Sequence, residues 1–82
     1  MPAPTPAQLG VVIRGLRTDR GLSLEALAAN AGIHTTYLSG IELGRRNPTW
    51  EVIGSLAVAL GVGISEIALL AEGVAGSEQR PS

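Results

Sequence analysis

One stretch near the middle of the chain, LEALAANAGIHTTYLSGIEL from Leu24 to Leu43, constrains the fold more than any other part. Its apolar residues repeat at helical spacing on both sides of a glycine. Ala28 is small where two steeply crossing helices must approach each other. Gly32 follows at the point where the chain can turn with a positive φ at little steric cost. The stretch therefore predicts two short helices joined by a tight turn, with Ala28 and Gly32 as structural residues.

The second of these helices is predicted to have two different faces. Leu38 and Ile41 lie three residues apart and should anchor the helix in the core. The opposite face carries only small, uncharged residues, and a face of this kind can enter a groove. Those residues are Thr35, Thr36, Ser39 and Gly40.

Start signals predict where other helices begin. Thr5 is placed to cap the first helix, with Pro6 in its first turn and Gln8 reaching back as a capping box. Ser23 and Thr49 are placed to cap the second and fourth helices. The proline-rich start and the polar end predict disorder at both termini. We expect an arm over residues 1–6, a folded domain over 7–75 and a tail over 76–82.

Apolar stripes at helical spacing predict five helices and no strands. Gly10 and Gly15 interrupt the first helix, and each lowers its helix propensity by up to about 1 kcal/mol. The predicted inward stripes are Leu9, Val12, Ile13 and Leu16 in the first helix, Ile53, Leu56, Ala57 and Leu60 in the fourth, and Ile64, Ile67, Ala68 and Ala71 in the fifth.

Composition favours one small helical domain. The chain has 82 residues, 45% of them hydrophobic, with one Trp, one Tyr and no Phe, so its core must be aliphatic. The absence of cysteine rules out a disulfide framework and a thiolate metal site. The longest apolar runs are far shorter than the roughly 20 residues of a membrane span, and the N-terminus has no signal-peptide pattern. We expect a soluble, cytoplasmic protein.

Charge is divided unevenly along the chain. The net charge at pH 7 is −1, which by itself argues against binding to nucleic acid. Residues 1–48, however, carry five arginines against three acidic residues, whereas residues 49–82 carry one arginine against four. The half with the predicted helix pair is therefore basic, although a net +2 is too small for bulk electrostatics alone to supply affinity.

The segment ALAANAGIHTTYLSGIELGRRNPTWEVIGSLAVALGV resembles the lambda-repressor-like helix-turn-helix family, which includes Cro, phage repressors, antitoxins and restriction-modification controller proteins. Three motifs carry the resemblance: the A-x3-G turn, the run I-E-x-G-x-R-x-P from Ile41 to Pro48, and the ending A-x-A-L-G-V of the next helix. The similarity extends from about Leu9 to Ala71 and is greatest to the controller proteins. It implies an all-α, compact five-helix DNA-binding domain.

The resemblance implies two sets of DNA-contacting residues, since the second helix of this motif lies in the major groove. At Thr35, Gly40 and Leu24 this chain departs from the long polar residues that the family often has. The alternative to base contact by the helix residues is a solvated helix face, and the alternative to phosphate contact by Arg45 and Arg46 is a solvated loop. For Tyr37, the alternative to an exposed ring is a ring that covers the seam between helices. The base-facing candidates are Thr35, Thr36, Tyr37, Ser39 and Gly40, and the phosphate candidates are Ser23, His34, Arg45, Arg46 and Arg17.

Arg17 and Glu42 match a pair that the family uses to tie the first helix to the end of the third. The resemblance implies a partly buried ion pair here, and loss of either partner would cost about 3–5 kcal/mol if the pair is buried. The assigned role of Glu42 is therefore structural.

Apolar residues in excess of one small core predict a homodimer. In similar proteins the last helices form a two-fold interface, which places two recognition helices about one turn of DNA apart. The alternative is that the fifth helix simply belongs to the core. The predicted interface consists of Leu70, Val74, Ile67 and Trp50, with Val58 as a further candidate.

The sequence thus predicts a homodimeric regulator of double-stranded DNA that blocks or recruits RNA polymerase according to the position of its operator. An adaptor or antitoxin with the same bundle is the alternative. An enzyme fits poorly, because Asp19, Ser23 and His34 fall on separate elements and no lysine is present for a phosphate loop. We expect no metal, no cofactor and no membrane association.

Overall fold

A computed structural model describes residues 4–78, which form five α-helices and no strand. The predicted all-α architecture is confirmed, and short turns separate neighbouring helices except for the longer loop after α3. The helices are α1 (Pro6–Asp19), α2 (Leu24–Ala31), α3 (Thr35–Glu42), α4 (Trp50–Leu60) and α5 (Ile64–Glu78).

The predicted helix starts are present as hydrogen bonds. Thr5 Oγ1 accepts from the backbone N–H of Gln8 at 3.3 Å, and Gln8 Oε1 accepts from the N–H of Thr5 at 2.6 Å. The hydroxyls of Ser23 and Thr49 cap α2 and α4 in the same manner. These bonds satisfy N–H groups that have no partner within a helix, so each helix begins where its cap lies.

Two glycines end the helices of the central pair. Gly32 has φ 72° and closes α2, which lets the N–H of Ile33 reach the carbonyl of Ala28 at 3.0 Å. Gly44 follows α3 with φ 75°, and a β carbon there would lie 2.8 Å from Cα of Ala7. Gly44 is therefore required both by its backbone conformation and by the close approach of α1.

The core lies between all five helices. α1 packs against α3 and α5, while α2 packs against α3 and α4. This arrangement holds the predicted helix pair from behind and leaves one side of α3 uncovered. The largest fully buried side chains are Ile13, Leu27, Leu38, Ile41, Leu56 and Ile67.

Gly10 marks the closest approach of α1 to α3. A β carbon on this residue would collide with the carbonyl oxygen of Ile41 and would lie 2.5 Å from that of Glu42. The obstacle is backbone, which cannot move aside without shifting a helix. The residue that weakens α1 as an isolated helix is thus the one that lets α1 pack on α3.

The end of the chain differs from expectation. Ala68 is exposed, whereas Val74, which was expected outside the inward stripe, is half-buried against the core. The true stripe is Ile64, Ile67, Ala71 and Val74. α5 also continues to Glu78, three residues beyond the predicted limit of the folded domain. Residues 1–3 of the predicted arm and residues 79–82 of the predicted tail lie outside the described residues.

No single helix among residues 4–78 is long and apolar enough to cross a membrane. α4 and α5 together have the length and composition of a span, but they are bent by 101° at the break between them. Both helices place apolar side chains in the core, where Leu56, Leu60 and Ile67 are at most 2% exposed.

Candidate nucleic-acid interface

The small polar face predicted for α3 is only partly open: Thr35, Thr36 and Ser39 form an outward ridge, whereas Gly40 lies beneath the side chain of Arg46. Leu38 and Ile41 are 0% exposed and fix the inner side of the helix. Thr36 is exposed, and Thr35 and Ser39 are half-buried on the remaining faces. α1 and α2 pack against the inner side of α3, so no other helix covers this outward ridge. A ridge of this width can enter the major groove, which admits a single helix.

Leu43 was missing from the predicted interface. It follows Thr36 by seven residues, which is nearly two helical turns, so both side chains leave α3 on the same side. Leu43 is 57% exposed, an unusual position for a large aliphatic side chain. The spacing could have identified it, because the same helical repeat that paired Leu38 with Ile41 also pairs Thr36 with Leu43. An exposed aliphatic side chain therefore lies at the C-terminal end of α3, close in sequence to the two exposed arginines of the following loop.

Tyr37 occupies an intermediate position. It is half-buried and packs against the core, so the prediction of an exposed ring is wrong and the alternative, a ring that covers the helix seam, is closer. The guanidinium carbon of Arg46 lies 6.0 Å from the centroid of the Tyr37 ring. Tyr37 thus supports a charged side chain at the edge of the outward ridge.

The loop after α3 folds back onto the helix. The backbone N–H groups of Arg45 and Arg46 both donate to the carbonyl of Gly40, at 2.8 and 3.2 Å. These bonds hold two exposed arginines beside the outward ridge. Guanidinium groups in such a place can donate to phosphate oxygens on one side of a groove.

The other phosphate candidates lie at the starts of α2 and α3. Ser23 is exposed, and its oxygen accepts from the N–H of Ala26, which leaves the hydroxyl proton available to an acceptor. His34 is exposed and makes no capping bond through its side chain. The first N–H groups of α3 are therefore without a side-chain cap, and an anion can bind to such groups.

Arg17 is half-buried, and its guanidinium is bound within the protein. Its Nε and Nη2 donate to the carboxylate of Glu42 at 2.7 and 3.1 Å, and its Nη1 donates to the carbonyl of Leu22 at 2.9 Å. The hydrogen bond to Glu42 raises the pKa of Arg17 above its ordinary value against the opposing effect of burial. Every guanidinium nitrogen already has a partner, so the geometry supports the predicted structural role; a phosphate contact remains only a prediction.

Charge separates in space as it does along the chain. The loop after α3 carries the exposed Arg45 and Arg46, and exposed Arg14 and Arg20 lie on or directly after α1 together with exposed Asp19. Exposed Glu51, Glu66 and Glu72 lie on α4 and α5, and exposed Glu25 lies on α2. The loop after α3 is therefore the basic segment next to α3, whereas the exposed charged residues of α4 and α5 named here are acidic. Within residues 4–78, no three His, Asp or Glu side chains form a group that could hold a metal ion.

The predicted dimer interface does not form one surface. Ile67 is 1% exposed and belongs to the core, so its assignment to an interface is wrong. Trp50 lines a groove with Ala68, whereas Leu70 lines a different groove with Val74 and residues of α1. The prediction combined two flanks of α5 because sequence spacing alone does not show which flank α4 covers.

These features define a helix-turn-helix protein. The profile described as Helix-turn-helix domain matches residues 8–70, and the chain belongs to this family. Among curated proteins it is 46% identical over 52 residues to the uncharacterized HTH-type transcriptional regulator y4dJ of Sinorhizobium fredii, covering 63% of this chain and 68% of the relative. It is 44% identical over 55 residues to the HTH-type transcriptional regulator DdrOP3 of Deinococcus deserti, covering 67% of this chain but only 43% of that longer relative.

Solved structures show the same relationship. The restriction-modification controller protein C.AhdI of Aeromonas hydrophila is 39% identical, with a TM-score of 0.74 over 76% of this chain and 94% of that chain. The clp gene regulator ClgR of Corynebacterium glutamicum is 30% identical, with a TM-score of 0.89 over 95% and 84%. The controller protein C.Esp1396I, solved as a tetramer with its natural 35 base-pair operator, is 26% identical, with a TM-score of 0.76 over 83% and 90%. The predicted resemblance to controller proteins is confirmed.

Proposed function

We propose that this protein is a sequence-specific, double-stranded DNA-binding transcriptional regulator. The observation that carries the proposal is the uncovered ridge of α3, flanked by the exposed Arg45 and Arg46. Similarity to the regulators and controller proteins above supports it, and the operator complex of C.Esp1396I shows what one relative binds. A role as the controller of a restriction-modification system follows most directly from the likeness to C.AhdI.

Binding divides between two groups of residues. Arg45, Arg46, Ser23 and His34 contact phosphates and set the register of α3 in the major groove. Base edges are then met by the short side chains of the ridge, Thr35, Thr36 and Ser39. Threonine and serine hydroxyls can donate or accept, and a threonine methyl or Leu43 can contact a thymine methyl.

The protein acts as a homodimer on a pseudo-palindromic site. We assign the interface to the face formed by Trp50, Val58, Ile64 and Ala68, here named the α4–α5 face. Trp50 is 69% and Val58 is 82% exposed, and both border grooves that Ile64 also lines. Burial of these side chains between two copies would remove from water the two most exposed large apolar side chains of the described residues, Trp50 and Val58.

Occupation of the operator regulates transcription by blocking or recruiting RNA polymerase, depending on where the site lies. The protein performs this role in the cytoplasm, without a cofactor and without catalysis. Its affinity comes from two half-sites together, because the basic side of one copy carries only a few exposed arginines.

Selection of bound fragments from the host DNA, followed by titration at two salt concentrations, tests the proposal. The enriched fragments should share a two-fold symmetric site, and binding should weaken steeply as salt rises. Fragments without the shared site should bind far more weakly at both salt concentrations. No binding even at low salt would overturn the proposal.

The second candidate is a protein-interaction module, such as an antitoxin or adaptor. The short side chains of α3 and the exposed Trp50 and Val58 favour it. In that case the selection would enrich no DNA fragment, and the α4–α5 face would bind a different protein instead of a second copy.

A further inference from the structure

The space above Gly40 on α3 is filled by the side chain of Arg46. A β carbon on Gly40 would lie 2.6 Å from Cγ of Arg46, 3.6 Å from its Cβ and 3.7 Å from its Cδ. The aliphatic stem of Arg46 therefore lies directly on the backbone of α3. Among residues 4–78, apart from the neighbours of Gly40 in the chain and the backbone of α3, these three atoms of Arg46 are the nearest heavy atoms.

Two further contacts fix the course of that stem. At its base, the N–H of Arg46 donates to the carbonyl of Gly40 at 3.2 Å. At its tip, the guanidinium carbon lies 6.0 Å from the centre of the Tyr37 ring. Tyr37 precedes Gly40 by three residues, so both are neighbours on the helix surface. The side chain of Arg46 thus crosses α3 from the loop. Its guanidinium therefore lies beside the outward ridge and does not extend freely into solvent from the loop.

We propose that Gly40 is a positioning residue for Arg46 and not itself a base-facing residue. Because Gly40 has no side chain, the Arg46 stem can lie against it, and we call this space the seat of Arg46. At the other end of the side chain, the guanidinium lies beside the Tyr37 ring. This inference rests on the proposed DNA-binding function, because it states how that site places its charge. Pre-placing a long side chain reduces the conformational entropy lost when it binds a phosphate.

The variant that tests the seat is Gly40→Ala. An added methyl group must displace Arg46, whose stem is flexible, so the helix itself should remain intact. Gly15→Ala is the matched control, because Gly15 is also helical and has no atom within 4 Å of its added β carbon. In the free protein, the side-chain NMR signals of Arg46 should lose their ring-current shift from Tyr37 in Gly40→Ala and keep it in Gly15→Ala.

A double-mutant cycle then tests the function of the seat on the DNA fragments selected above. Gly40→Ala should weaken binding nearly as much as Arg46→Ala, and in the Arg46→Ala background it should change binding by less than about twofold. The same comparison applies to stability, where Gly40→Ala should be more favourable in the Arg46→Ala background, because the collision is then absent. This comparison of stabilities tests whether Gly40 makes room for Arg46 even if Gly40→Ala alone is poorly folded.

Two results would overturn the inference. One is equal weakening of DNA binding by Gly40→Ala in both backgrounds, which would mean that the helix backbone itself must approach the bases. The other is an unchanged Arg46 signal in Gly40→Ala. Absence of DNA binding by the unmodified protein would instead refute the proposed function, while the NMR and stability arms on free protein would still decide whether Gly40 seats Arg46.

Discussion

The carboxylate of Glu42, at the end of α3, accepts two hydrogen bonds from the guanidinium of Arg17 on α1, at 2.7 and 3.1 Å. The side chains are only 15% and 6% exposed for Arg17 and Glu42. Since Arg17 also donates to the carbonyl of Leu22, one guanidinium connects α1, the start of α2 and the end of α3. The orientation of α3 therefore depends on a polar contact at one end of a largely aliphatic core.

Replacement of Glu42 by glutamine should destabilise the protein strongly. The change leaves the charge of Arg17 largely buried without a counter-charge, which costs about 3 kcal/mol and lowers the melting temperature by more than about 10 °C. Thermal unfolding followed by circular dichroism measures this effect. The control is Glu66→Gln on the exposed side of α5, which should change stability by less than about 0.5 kcal/mol. Similar melting temperatures for both variants would contradict the assigned role of the pair.

Two glycines of α1 should respond in opposite directions to the same substitution. Gly10→Ala places a methyl group against backbone carbonyls of α3 and should destabilise by about 1–3 kcal/mol. Gly15→Ala adds a methyl group to open space and should stabilise by about 0.5–1 kcal/mol through helix propensity. Urea unfolding of both variants provides the measurement. If both stabilise, the close approach of α1 to α3 is absent in solution.

Local signals in the sequence predicted much of this fold. Thr5, Ser23 and Thr49 cap helices because a hydroxyl accepts a bond from an N–H three residues later, which depends only on neighbouring residues. The buried stripes of α1 to α4 follow from helical repetition in the same way. These features required no knowledge of how the helices pack together.

Features that depend on packing between helices were not predictable in this way. From the sequence, Gly10 was expected only to lower the helix propensity of α1. Its contact with α3 could not be seen there, because the contacting residues are far apart in the chain. The buried Ile67 was grouped with the exposed Trp50 because composition shows an excess of apolar residues but does not show which of them are covered. The path of Arg46 across Gly40 depends on a loop conformation that no motif describes. Tertiary contact, and not local propensity, decides each of these cases.

Base reading and phosphate contact should separate in mutants. Arg46→Ala should weaken binding to matched and mismatched sites alike and reduce the salt slope by about one unit for each copy, or about two for the dimer. Thr36→Ala should instead lower the preference for the matched site by roughly 1 kcal/mol, about fivefold, with an unchanged salt slope. Equilibrium titrations on both sites at several salt concentrations separate the two effects. Identical behaviour of the two variants would contradict the division of roles.

Dimerisation should depend on one flank of α5 and not on the other. Trp50→Glu places a charge on the α4–α5 face and should convert dimer to monomer in sedimentation experiments. Leu70→Glu is the control, because Leu70 is 44% exposed but lines the groove on the α1 side. A monomer produced by Leu70→Glu, with Trp50→Glu still dimeric, would show that the interface lies on the opposite flank.

The most direct measurement of the central claim is NMR mapping of the surface that contacts DNA. Backbone amide shifts of the full chain are followed during titration with a fragment selected from host DNA. The largest changes should fall on Thr35, Thr36 and Ser39, with further changes at Arg45 and Arg46 and small ones along α5. Changes concentrated on α4 and α5, with α3 unaffected, would contradict DNA binding through α3.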